Sequence, residues 1–139
     1  MQSELIIGAV GISSMEVRPG DTALAHGSGD VPTLSSSFLV TLMESAAITS
    51  IGEYLENSET TILSEIELKV HGAVPIGIEV QGAATCIGLE ENTLIFDCEI
   101  HDGPRLVAAA IMRRTMVERV SFLARTAALS IISQQAQTN

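Results

Sequence analysis

SSSFLVTLMESAAITSIG, residues 35–52, is the stretch on which the fold turns. Apolar residues fill most of it at helical spacing and occupy more than one side. Ser35, Ser36 and Ser37 stand at its head, where hydroxyls cap helices. Asn57-Ser58 ends it, so the spacing predicts a helix over about 36–56. A helix that is apolar over so much of its surface must be wrapped by another part of the domain.

The wrapping element follows at once. From Thr60 the period changes to two, with Ile62, Ser64, Ile66, Leu68 and Val70 on one face. Leu63, Glu65, Glu67, Lys69 and His71 take the other, as in a half-buried strand. Residues 72–77, GAVPIG, form a bend. Two strands, 78–89 and 93–102, flank the turn Glu90-Glu91-Asn92, and another over about 105–117 follows the turn HDGP at 101–104. Upstream, residues 5–12 read as a first strand or packed N-terminal segment. Residues 13–35, rich in Gly and Pro, read as a long loop or several turns.

Successive strands with tight turns pair antiparallel. The fold class expected is therefore α+β, a curved antiparallel sheet wrapped around a long central helix. The 139 residues make one domain, 1–139, with a core over about 15–117 and a C-terminal helix over about 120–133.

Composition excludes several partners. The net charge is −10, so nucleic acid and anionic membrane surfaces are poor partners. The apolar run 5–12 is too short to span a bilayer and has no basic residues before it. A cytoplasmic location is the default. Cys86 and Cys98 read as two buried thiols in a reducing compartment, cross-strand neighbours across the 90–92 turn. No metal-ligand spacing and no cofactor motif is present, so no metal and no cofactor is expected.

Glu44 is the anomaly of the opening stretch. Its helical neighbours are Ser37, Val40, Thr41, Ala47, Ile48 and Ile51, and no Lys or Arg occurs from Pro19 to Leu68. A carboxylate so placed is protonated, paired with something distant, or poised as an acid or base. The bland alternative is a Glu on a solvent stripe or bonded to a buried amide. Ser36 begins the same helix, where an ordinary N-cap is the plain reading. Of the histidines, His26 lies in the Gly-rich loop, His71 ends a strand and His101 sits in a turn.

The helix "FLVTLMESAA", the later "AVPIG" and the turn "HDG" resemble the hotdog-fold acyl-CoA thioesterases, in the branch that includes fluoroacetyl-CoA thioesterase. The resemblance covers roughly residues 15–117 and implies hydrolysis of a small acyl-CoA thioester. The acyl carrier is coenzyme A or an acyl-carrier protein. That branch combines a Thr at the helix start, a Glu within the helix and a His at the end of the next strand. These fall on Ser36, which keeps a hydroxyl, on Glu44, and on the neighbourhood of His71. Counting back from Gly77, the ungapped histidine position is Val70, and His71 comes one residue late. A one-residue slip turns a strand side chain to the other face unless a β-bulge near Gly72 turns it back.

With the bulge, Glu44, Ser36 and His71 are the catalytic set. Without it, the chain is a non-catalytic acyl-CoA or small-ligand binding domain that has lost the histidine. Phosphate contacts to the acyl carrier would come from Arg105, Arg113, Arg114 or Lys69. The resemblance also implies a homodimer joined sheet edge to sheet edge, which hides an otherwise bare strand.

Overall fold

A computed structural model describes residues 1–138. A short helix α1 (Ser3–Ile6) precedes strand β1 (Val10–Glu16). A 3-10 turn (Pro19–Asp21) and the short helix α2 (Ala23–His26) lead into the long helix α3 (Ser36–Ile51). Four strands follow: β2 (Glu59–Val70), β3 (Glu79–Glu90), β4 (Thr93–Asp102) and β5 (Arg105–Glu118), then helix α4 (Arg119–Thr138).

The strands form one antiparallel sheet in the order β1-β3-β4-β5-β2. The β3–β4 turn places Glu91 at φ 56, and the β4–β5 turn uses Gly103 at φ 54. The predicted α+β class is what the structure has.

One face of the sheet curves over α3. Leu39, Leu42, Met43, Ala46, Ala47 and Ile51 form the buried stripe of the helix. They meet Leu94, Phe96, Cys98 and Ile100 of β4 and the alternate residues Ala108, Ala110 and Met112 of β5. The helix lies closest to β1: a Cβ added at Gly11 would stand 2.1 Å from the carbonyl oxygen of Ala46.

Four details depart from the sequence reading. Residues 5–12 are not one strand, because α1 occupies their start and β1 begins at Val10. Helix α3 stops at Ile51, where Gly52 and a turn bonded from Tyr54 N–H to Ile51 carbonyl follow. The serine cap is not made: Ser35 makes no side-chain bond to the helix N-terminus, and its hydroxyl instead pairs with Ser28 and Ser37. Cys86 and Cys98 are not directly opposite, since Cys86 faces Phe96 and Cys98 faces Ala84.

The alternation of β2 is also broken. Its register with β5 shifts between Leu63 and Glu65, leaving Ser64 as the extra residue of a β-bulge. Beyond the bulge Ile66, Leu68 and Val70 face α3 as expected. Before it, Leu63 and Thr61 turn inward and Ile62 turns to the outer face, the reverse of an unbroken strand.

Candidate active site

Helix α3 covers β1, β3 and β4 but leaves the inner face of β5 and β2 partly open. Glu44 stands on that uncovered flank, between the half-buried Val40 and the exposed Ile48. Its side chain is 29% exposed. The carboxylate is paired with a distant cation: Nη1 of Arg114 lies 2.5 Å from Oε2. Among the described residues none donates to Oε1, which leaves that oxygen free for a substrate or water.

Arg114 is only 4% exposed. Its Nε donates to Thr61 Oγ1 at 2.9 Å and its Nη2 to the Thr61 carbonyl at 3.1 Å. A guanidinium so deeply placed must be paired and hydrogen-bonded, and Glu44 with Thr61 does both. Arg114 is therefore corrected as a phosphate ligand, because its donors are taken inside the protein.

Ser36 is the first residue of α3 and is exposed. It shares a hollow of about 350 Å³ with Thr33, Leu39, Val70 and His71. The backbone N–H groups of His71 and Gly72 both donate to the Val107 carbonyl, at 2.7 and 3.3 Å. The two N–H groups thus share one carbonyl, and at the same level the register of β4 against β5 shifts between Ile100 and His101, leaving Val107 as the extra residue. Val70 and His71 both line the hollow. Glu44 stands two helical turns from Ser36 and does not line it.

The remaining cations separate. A Cβ at Gly72 would come within 2.8 Å of Arg105 Nη1, so the guanidinium rests on the backbone beside the hollow. Its Nη2 bonds Asp102 Oδ2 at 3.0 Å. Arg113 points to the outer face of the sheet, between Glu65 at 3.5 Å and Glu90 at 3.4 Å. Lys69, opposite Ala109, is on that outer face too. Neither is near the hollow, because strand alternation carries both away from it.

Nothing in the isolated pair Thr60-Thr61 marks Thr61 in the sequence. The inward arginine did leave a signal. Arg113 and Arg114 are adjacent on a strand, so one of them must face the apolar side. The thiols lie elsewhere, in the core: burial pushes Cys98 up to about 12 and raises Cys86 as well. Among the described residues no group of three or more His, Cys, Asp and Glu is placed to hold a metal ion.

The sequence profile of the family described as FlK, fluoroacetyl-CoA-specific thioesterase, matches residues 17–120. The chain belongs to that family. This thioesterase is a thioester hydrolase, and the enzyme reading stands over the purely binding one. Its fold is shared with solved structures at low identity. A Thermus thermophilus protein described as a thioesterase superfamily member superposes with a TM-score of 0.85 at 21% identity, over 93% of this chain and 96% of that one. A variant of the fluoroacetyl-CoA thioesterase FlK in complex with acetyl-CoA gives 0.80 at 24% identity, over 86% and 95%. A hot-dog-like protein from Thermanaerovibrio acidaminovorans gives 0.81 at 17% identity, over 91% and 95%. No protein with a curated description matches the sequence. Among the described residues, no helix of the thioesterase is long and apolar enough to cross a membrane.

Proposed function

We propose that the chain, a single hotdog unit with a C-terminal helix appended, hydrolyses the thioester of a small acyl-CoA. The observation that carries this reading is the placing of one helix. Helix α3 holds the Glu44 carboxylate against a buried guanidinium and, at its head, holds Ser36 beside His71. Acetyl-CoA and CoA bound to FlK variants support coenzyme A as the carrier.

In this reading Glu44 Oε1 takes a proton from water, and the water oxygen bonds to the acyl carbon. The C–S bond breaks, and His71 delivers a proton to the departing thiolate and regains one from Glu44 through solvent. The products are a carboxylic acid and a thiol. Ser36 orients the attacking water. The N–H groups of the first turn of α3, free of a side-chain cap, face the developing oxyanion. Arg105, beside the hollow, meets a phosphate of the carrier.

The functional unit in this reading is a homodimer joined along β2. That strand is the end of the sheet order, 12 residues long, with Val70 (53% exposed) and Ile48 (51% exposed) beside it. An edge so long and apolar calls for a cover. Antiparallel pairing of two β2 strands would bring the partner's His71 toward Thr61 and Glu44, which closes the gap between Glu44 and the hollow. A reducing, cytoplasmic setting agrees with the two free cysteines.

The test is a panel of short acyl-CoAs with a thiol reagent reporting released CoA. Turnover by the wild-type chain, lost in Glu44→Gln and retained when the surface residue Glu16 is changed to Gln, supports the reading. Binding without turnover across the panel contradicts it.

A further inference from the structure

Strand β2 would bring Ile62, not Thr61, to the inner face if its alternation ran unbroken from Val70. The bulge at Ser64 reverses the phase, and Ser64 Oγ fastens it by donating to the Arg113 carbonyl at 3.0 Å. Thr61 is thereby turned inward and buried, diagonally across from Arg114, which pairs with Leu63. An aliphatic side chain in its place would leave the buried Nε of Arg114 without its acceptor.

Thr61 holds one edge of the guanidinium. Nε and Nη2 lie along that edge and donate to the hydroxyl and the carbonyl oxygen of Thr61, at 2.9 and 3.1 Å. Nη1, at the remaining corner, donates to Glu44 Oε2. A planar group gripped at all three nitrogens keeps one orientation. Both Thr61 acceptors are neutral, so they fix the cation without competing for its charge. Glu44 is the one carboxylate among the described residues within ion-pair distance of Arg114.

We propose that Thr61 is a positioning residue: acting through Arg114, it sets where the Glu44 carboxylate stands, and the bulge at Ser64 is the device that delivers it to the inner face. This role rests on the reading of Glu44 as the base. Thr61 acts one residue removed from the reacting atoms, and a misplacement of about 1 Å can cost roughly a hundredfold in rate.

Thr61→Val keeps the shape and removes the hydroxyl, whereas Thr61→Ser keeps the hydroxyl and removes a methyl. On the acyl-CoA turned over best, kcat of Thr61→Val should fall about tenfold or more with KM within about twofold of wild type. Thr61→Ser should recover kcat to within about twofold, although its lost methyl lowers the urea midpoint. A purely structural threonine would give kcat values that follow the midpoints. In a cycle of urea midpoints, Thr61→Val and Glu44→Gln should be non-additive, and additive once Arg114→Met is present. Wild-type kcat in Thr61→Val, equal losses of kcat in the Val and Ser variants, or additive midpoints with Arg114 in place overturn the proposal. If Thr61→Val does not fold, Arg114→Lys, which keeps the charge and loses the edge that Thr61 grips, should show the same fall, and wild-type kcat there overturns the proposal. A wild-type chain without turnover would sink the hydrolytic reading alone, and the midpoint cycle then decides whether Thr61 holds Glu44.

Discussion

Nη1 of Arg114 lies 2.5 Å from Oε2 of Glu44, tying β5 to α3 across 70 positions of sequence. The arginine is anchored behind by both oxygens of Thr61. A side chain that would otherwise sweep several rotamers is thereby fixed, with Oε2 held by the arginine. Orientation of this kind lowers the entropic cost of bringing a general base to its reactive geometry.

The pair should be energetically coupled. Glu44→Ala leaves a buried guanidinium without its anion, so the variant should lose stability toward the lower end of the roughly 3–5 kcal/mol typical of a broken buried pair. Arg114→Met should lose less than that when Glu44→Ala is already present. A double-mutant cycle by urea denaturation measures the coupling. Additive losses would mean that the two groups do not sense each other.

His71→Ala should lower kcat/KM at least about tenfold if the bulge at Gly72 turns the ring to the hollow. Mixing inactive Glu44→Ala and His71→Ala chains under exchange should restore about a quarter of wild-type activity if each site takes its histidine from the second subunit. A mixture as inactive as its components would place both residues in one subunit's site. Undiminished activity of His71→Ala would remove the histidine from the chemistry.

Cys98, its thiol pushed up to about 12 by burial, and Cys86, raised for the same reason, should ignore thiol reagents at pH 8 in the native protein. Reagent consumption should appear only on unfolding in denaturant. Rapid labelling of either cysteine in the folded chain would contradict the packing of β3 and β4 described above.

Gly11→Ala would force a methyl to within 2.1 Å of the Ala46 carbonyl oxygen, a backbone atom that cannot swing aside. The loss expected is about 1–3 kcal/mol, read from the denaturant midpoint. A variant as stable as wild type would mean that α3 sits further from β1.

How much of this was legible beforehand follows from what each residue depends on. Helix α3 and strands β2 to β5 rest on local periodicity and turn chemistry, which the sequence carries openly. The bulge at Ser64 does not: it is set by pairing with β5, and unbroken alternation puts Ile62 and Leu63 on the wrong faces. The closeness of β1 to α3 at Gly11 is equally a property of two segments brought together. Glu44 stood out as a carboxylate without a local cation, and its partner had to be distant. Choosing Arg114 over Arg113 needed the phase of β5 against the core, fixed by Ala110 and Met112 facing inward.

The most direct measurement is the kinetics of Glu44→Gln, which keeps the volume and a hydrogen-bond acceptor for Arg114 but cannot take a proton from water. On the acyl-CoA that the wild type turns over best, kcat should fall about a hundredfold or more with the fold intact by circular dichroism. A folded Glu44→Gln enzyme with wild-type kcat would contradict Glu44 as the base.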